Sequence, residues 1–322
     1  MQRSTKNKLK KYSALILWIL LIQLILVNIS AAIYAYKFTH FSSNPPAAAP
    51  SKNFFTKTWK LFTGPDIYKF PLKAVPSFSY QPVSFPATKG ITINGWYSTA
   101  DSAKGCVIFF HGYTANKGML INEAEQFRSW GYNVLLIDFR AHGNSSGNKT
   151  SFGVKETEEV EKAFKFAQSK GNSKILLYGV SLGSVVIMKA VAENKVRPIG
   201  IVADMPFGSL EHHLEARARI IGFPSQPFAF LVTMWTGIEN GYNGFGHDTY
   251  AYAKKVGCPV LLQWGEVDPF VTRKEMEEVF SSVNSKEKKL VIYPNASHES
   301  LLNNNPGYWD KNVRLFTEAV MK

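Results

Sequence analysis

The hydrophobic pattern changes character along the chain. Residues 13–36, SALILWILLIQLILVNISAAIYAY, carry no charge and match the roughly 20 apolar residues that a helix needs to cross a bilayer. Trp18 lies near one end of this run, with Tyr34 and Tyr36 at the other, as interfacial anchoring requires. From Phe41 to Asn53 the sequence FSSNPPAAAPSKN is rich in small residues and proline, a composition that reads as a spacer. Beyond about residue 75, short β-branched and aromatic runs alternate with stretches of helical spacing, which predicts strands joined through helices over a mostly parallel sheet.

The pattern predicts strands at 82–86, 91–98, 106–110, 133–139, 174–178, 200–203, 259–264 and 289–293. The first two, joined by ATKG, form an antiparallel hairpin, and runs such as VLLID and ILLYG suit strands buried on both faces. Helices are predicted at 119–130, 155–170, 182–193, 274–283 and 308–321. After the sixth strand the alternation breaks, because 207–255 holds no strand and is too long for an ordinary connection. This insertion is expected to act as a lid. Phe228, Leu231 and Trp235 in its apolar middle are candidates to line an acyl pocket, the alternative being that they pack the insertion onto the core. The expected layout is a basic tail at 1–12, a transmembrane signal anchor at 13–36, a linker at 37–75 and an α/β domain at 76–322.

Composition sharpens this picture in a few places. The chain of 322 residues is 45% apolar and 19% charged, ordinary globular usage. Its net charge of +13 is partly a tail effect, since Arg3, Lys6, Lys8, Lys10 and Lys11 precede the apolar run with no acid among them. The sequence contains no motif that reads DNA or RNA, so the expected partner of this charge is a membrane and not nucleic acid. The positive-inside rule then puts the N-terminus in the cytoplasm and the domain on the outer side; cleavage near Ser30-Ala31-Ala32 would instead release it as a secreted protein. Cys106 and Cys258 each open a strand and read as small buried residues, not a disulfide. No zinc-type spacing occurs, and His212-His213 reads as a solvated helical face, so no metal is expected. Glycosylation sequons occur at Asn144, Asn148 and Asn295, the last beside His298, where a glycan would obstruct a substrate. The domain is therefore expected to lie where no glycosylation machinery acts, as in the periplasm or outer side of a bacterium.

The sharpest chemical signal is Gly179-Val180-Ser181-Leu182-Gly183, between the strand KILLY and the helical run LGSVVIMKAVAE. Small residues flanking a serine at a tight strand-to-helix turn let the hydroxyl project beyond the sheet edge, and aim the Leu182 amide at any oxyanion formed there. Serine needs a base. Among seven histidines, only His298 follows the last strand, where a loop at the same edge brings it over Ser181. Asp268, after PVLLQW, is the favoured acid to orient that imidazole, with Asp204 and Glu266 as alternatives. The strand before His111 ends FFHGYTANKG, which offers the amide of Tyr113 as a second oxyanion donor.

These motifs resemble the α/β-hydrolases, in the bacterial branches grouped with serine aminopeptidase S33 and the monoacylglycerol-lipase-like enzymes. The resemblance is carried by HGYTANKGMLINEAEQF, GYNVLLIDFRAHGNSSG, LLYGVSLGS, PVLLQWGEVDPFV and SHESLL, and spans about 80–322. It implies an α/β-hydrolase fold: an eight-stranded mostly parallel sheet with helices on both faces, a lid after the sixth strand, and here one transmembrane helix in front. It also implies serine-dependent hydrolysis of a small acyl or ester substrate through an acyl-enzyme, with no cofactor. GVSLGS departs from the GHSMGG of lipase-like members, and the lid carries no substrate-defining pattern. Peptidase, thioesterase and acyltransferase chemistry stay open, as does a non-catalytic binding protein on this fold.

Overall fold

Continuous apolar runs bury themselves on both faces and alternate with amphipathic helices, and the result is one sheet of eight strands. In the computed structural model, which describes residues 2–42 and 54–322, the strands are β1 (Gln81–Pro86), β2 (Thr92–Ser98), β3 (Cys106–Phe110), β4 (Asn133–Ile137), β5 (Ile175–Val180), β6 (Gly200–Asp204), β7 (Val260–Gly265) and β8 (Lys288–Tyr293). Their order is β1-β2-β4-β3-β5-β6-β7-β8. The hairpin β1/β2 is antiparallel, as ATKG led one to expect, and β2 also runs antiparallel to β4; all later pairs are parallel. Every residue of β3, β4 and β7 is buried, each large apolar side chain contributing about 1.5–3 kcal/mol.

The helices are α1 (Gln2–Thr39), α2 (Phe54–Thr63), α3 (Ile121–Ser129), α4 (Thr157–Ser169), α5 (Leu182–Ala192), α6 (Leu210–Ile220), α7 (Phe228–Asn240), α8 (Thr249–Ala253), α9 (Arg273–Ser282), α10 (Leu301–Asn304) and α11 (Pro306–Val320). α4, α5, α8 and α9 pack in succession as one layer. α3 and α11 join through Trp130 stacked on Trp309, with ring centres 5.7 Å apart. α6, α7 and α8 fill the insertion between β6 and β7. Cys106 and Cys258 are both free.

Among the described residues one helix is long and apolar enough to cross a membrane, over Lys10–Thr39. Its first part exposes its side chains, while Ala31 and Ala35 are fully buried where α1 crosses α7. The stretch expected to be a linker, 37–75, behaves differently in its described parts. Phe38 and Phe41 are 6% and 2% exposed, Lys37 pairs with Asp66 at 2.9 Å, and α2 lies against α1 through Ser30 Oγ donating to the Phe62 carbonyl. The aromatic side chains explain this, since they dock among Tyr113, His142 and Phe152 of the domain. The proline-rich part of the expected linker, 43–53, lies outside the described residues.

Candidate active site

Parallel strands deliver their following loops to one edge of the sheet, the general location of ligands in open α/β sheets. The loops after β3, β5, β7 and β8 carry His111–Thr114, Ser181, Asp268 and His298 to that edge. Ser181 occupies the turn between β5 and α5 with φ 52° and ψ −113°, a left-handed backbone that a serine adopts only under constraint. The constraint is close packing: a Cβ at Gly183 would lie 2.1 Å from the Phe110 carbonyl oxygen, so only glycine lets α5 begin this near β3. The Ser181 amide is held by the Asp204 carbonyl at 2.7 Å.

Across the edge, His298 Nδ1 donates to Asp268 Oδ2 at 2.7 Å. The Asp268 carboxylate is wholly buried, and its other oxygen accepts from the amides of Phe270 and Val271 at 2.7 and 3.0 Å. Those two bonds lock the carboxylate in the turn and leave one oxygen for the imidazole. Asp204, an alternative acid, points elsewhere: it bonds Tyr178 and Gln263 at 2.5 and 2.7 Å, and burial pushes its pKa up to about 7. Glu266 is exposed. Among the described residues Ser181 Oγ makes no hydrogen bond.

The loop after β3 is fixed by imidazoles. His111 Nδ1 donates to the Gly112 carbonyl at 2.7 Å, while its Nε2 accepts from the Phe139 amide at 3.1 Å. His142 bridges the Arg140 carbonyl and the Thr114 amide in the same way, at 2.8 and 3.3 Å. Burial lowers the pKa of His111 to about 4 and that of His142 to about 3, so both stay neutral and can accept. This framework lays Gly112 against the serine, 3.5 Å from an added Cβ to Ser181 Cβ. The amides of Tyr113 and Leu182 have no hydrogen-bond partner among the described residues.

The lid candidates fall on the α1 side. Phe228 meets the Tyr34 ring edge-on at 4.8 Å and lines a small cavity there. Trp235 donates to Asn28 of α1 at 3.4 Å, and Leu231 is partly buried against the core. His213 corrects the expectation of a solvated face. It is 4% exposed and accepts from Arg217 Nε at 2.8 Å, because the i, i+4 spacing on α6 turns both residues inward. His212 stays at the surface side of that helix. Sequence reasoning also missed Phe38, which lies 4.9 Å from the Tyr113 ring and whose carbonyl accepts from Tyr113 Oη at 2.5 Å. Nothing in a spacer-like composition marks such a residue. Among the described residues no cluster of His, Cys, Asp and Glu is arranged to hold a metal.

Comparison with known proteins agrees with this architecture. The model of the family described as serine aminopeptidase, S33, matches residues 101–232. The protein YqkD of Bacillus subtilis is 26% identical over 73% of this chain and 78% of its own. Lysophosphatidylserine lipase ABHD12 of Macaca fascicularis is 23% identical over 55% of this chain and 45% of its own. Among solved structures, the Pyrococcus furiosus esterase Pf2001 superposes with a TM-score of 0.66 at 23% identity, covering 89% of this chain and all of that one. The eight-stranded sheet and its β5–α5 serine turn have the α/β-hydrolase fold, and over residues 101–232 the chain is similar to the S33 serine aminopeptidase family.

Proposed function

We propose that this chain is a membrane-anchored serine hydrolase of small ester substrates, acting through an acyl-enzyme. Ser181 is the nucleophile, His298 the general base and then acid, and Asp268 the group that holds the imidazole tautomer and stabilises the imidazolium. The amides of Tyr113 and Leu182 receive the oxyanion. The observation that carries the reading is the left-handed Ser181 turn packed against Gly112, with His298 bonded to a buried Asp268 at the same edge.

The chemistry follows from those positions. His298 Nε2 removes the Ser181 proton as Oγ attacks the ester carbonyl, and negative charge develops on the carbonyl oxygen. Each preorganised amide contributes about 3–4 kcal/mol to the transition state in sites of this kind. The imidazolium returns its proton to the departing alkoxide, leaving the acyl group on Ser181. Water then attacks with the same base, and the carboxylic acid departs. Ester hydrolysis is favoured over peptide hydrolysis by the relatives described as an esterase and a lysophosphatidylserine lipase.

In this reading residues 1–12 are a cytoplasmic tail, 13–36 span the membrane, and the domain from 76 to 322 works on the outer side. The test is labelling of the full-length chain in nonionic detergent by a fluorophosphonate, beside Ser181→Ala and His298→Ala, followed by nitrophenyl esters of increasing chain length. Wild-type labelling that disappears in both variants supports the reading. A folded wild-type chain that neither labels nor hydrolyses any ester refutes it.

A further inference from the structure

Arg217 stands one ring away from the proposed chemistry and has no counter-charge. Its Nε donates to His213, and among the described residues this is its only hydrogen bond and no carboxylate pairs with it. The residues outside the described set, Met1 and 43–53, include no Asp or Glu. Arg140 binds Glu158 and Glu159 at 3.0 and 2.6 Å, and Arg273 and Arg314 each bind a glutamate one turn on, whereas Arg128, over the Phe78 ring, also has no carboxylate partner among the described residues; what sets Arg217 apart is its place beside Tyr113.

Instead of an acid, the Arg217 guanidinium faces aromatic rings, at 5.0 Å from Tyr113, 5.6 Å from Phe38 and 5.8 Å from Phe270. Arg217 is half-buried, and such contacts offset only part of the cost of drawing a cation away from water. Burial accordingly pulls the Arg217 pKa below its ordinary value, with Tyr113 acting in the opposite sense. His213 fixes the fork by accepting from Nε, and its own pKa lies well below the usual value, chiefly through burial and then through Arg217 itself. It therefore remains a neutral acceptor, and the terminal nitrogens of the guanidinium are left for a ligand.

The position of this cation links two features. On one side, Tyr113 carries the proposed oxyanion amide, and the Phe270 ring is 5.1 Å from that of His298. On the other, Arg217 lines a mainly apolar slot of about 110 Å³ with Tyr34, Phe38, Leu214, Ile221, Phe228 and a second cation, Lys37, which unlike Arg217 is paired, with Asp66 at 2.9 Å. That volume is below the roughly 150 Å³ cavity known to hold a benzene, so it accepts a short hydrocarbon segment. Tyr34 and Phe38 belong to α1, so the membrane-length helix itself forms one wall of the slot.

We propose that Arg217 is an anion-binding residue of this site and that its ligand is a single-chain anionic amphiphile, the hydrocarbon in the slot and a carboxylate or phosphate on the guanidinium. Guanidinium pairs with either group through two parallel bonds, so the shared chemistry is a planar or tetrahedral oxyanion. That this amphiphile is also the substrate rests on the serine-hydrolase reading; that it binds does not.

The experiment uses the full-length chain in phosphatidylcholine nanodiscs and reads its melting temperature with octanoate, octyl phosphate and neutral octanamide. The anions are expected to raise it by several degrees more than the amide, since a ligand that binds only the folded state stabilises it in proportion to its affinity. The excess disappears in Arg217→Gln and in Arg217→Met, which keeps much of the stem, and survives in Arg217→Lys. Octanoate alone giving the excess assigns a carboxylate, and octyl phosphate alone a phosphate. Equal shifts by anions and amide in the wild type, or an excess that persists in the neutral variants, overturn the proposal. In parallel, the ratio of kcat/KM for octanoyl glycerol phosphate to that for octanoyl glycerol falls ten- to a hundredfold in the neutral variants, the worth of a hydrogen bond to a charged group. Absence of fluorophosphonate labelling would sink the serine-hydrolase reading while leaving the melting comparison to decide Arg217.

Discussion

The wall of the site that carries Ser181 is fixed by backbone, and the wall that carries Phe38 and Arg217 is fixed by side chains. On the serine side, Gly183 admits α5 to van der Waals contact with β3, the Ser181 amide is tied to Asp204, and two buried imidazoles bond main-chain atoms of the neighbouring loop. On the other side, α1, α6 and α7 meet through rings: Phe38 on Tyr113 and Phe152, Tyr34 on Phe228, and Arg217 among three aromatics. Backbone contacts tolerate no added atom, whereas aromatic contacts slide and repack at small cost. The first wall suits a reaction that needs sub-ångström placement. The second suits a surface that must admit a substrate.

The largest effects should come from the fixed wall. Asp268→Asn preserves the turn but no longer enforces the imidazole tautomer, and kcat is expected to fall about 10⁴-fold with little change in melting temperature. A loss below tenfold would remove Asp268 from the proposed mechanism. Gly183→Ala comes next, because its Cβ would meet the Phe110 and His111 carbonyl groups, and neither is free to move. A cost of at least about 3 kcal/mol in unfolding free energy is expected, with fluorophosphonate labelling lost even in molecules that remain folded. Near-normal labelling would mean that the serine wall is as pliant as the other.

Phe38→Ala probes the pliant wall and should differ in kind. The ring is almost fully buried, and deletion is expected to cost about 3 kcal/mol, the low end for a buried phenylalanine, because neighbouring rings can close part of the space. It also removes the side chain standing between the α1 slot and Tyr113, and Ser181 is expected to label several-fold faster with a bulky fluorophosphonate. Slower labelling of a folded variant would show that Phe38 supports the serine loop instead of covering it, and the contrast between the walls would dissolve.

The same division explains what could be read from the amino-acid sequence. Every strand was legible from apolar runs such as CVIFF and PVLLQWG, and their parallel direction follows once helices intervene; the placing of β4 between β2 and β3 was not legible. The serine turn was legible because its constraint is local: small residues beside Ser181, a strand before and a helix after. The pairing of Asp268 with His298 was legible only as a choice among acids, and it is the two amides in DPFV that turn one carboxylate oxygen toward the imidazole. The α1 wall was not legible. Phe38 and Phe41 sit in a stretch whose neighbours read as spacer, and their partners lie 75 or more residues away in a loop defined by the sheet. Arg217 is anonymous in LEARAR until α6 is seen to face inward.

The smallest predicted effect tests how far the fixed wall depends on neutral imidazoles. His142 has a pKa near 3 in the folded chain, from burial first and the neighbouring His111 second, against about 6.5 when unfolded. As pH falls below 6.5 the unfolded chain takes up a proton that the folded chain refuses, so stability present at neutral pH is lost progressively toward pH 3. The slope is on the order of 1.4 kcal/mol per pH unit, or roughly 2 kcal/mol between neutral pH and pH 5. His142→Gln keeps an acceptor for the Thr114 amide but cannot be protonated in this range. Urea midpoints at pH 7.5 and pH 5.0 should therefore move less in the variant than in the wild type, while the midpoint at pH 7.5 changes little. Equal acid sensitivity in the two proteins would assign the loss to other groups. It would also mean that the loop bearing Tyr113 is held by packing, as the α1 wall is, and not by the hydrogen bonds that set the serine side apart.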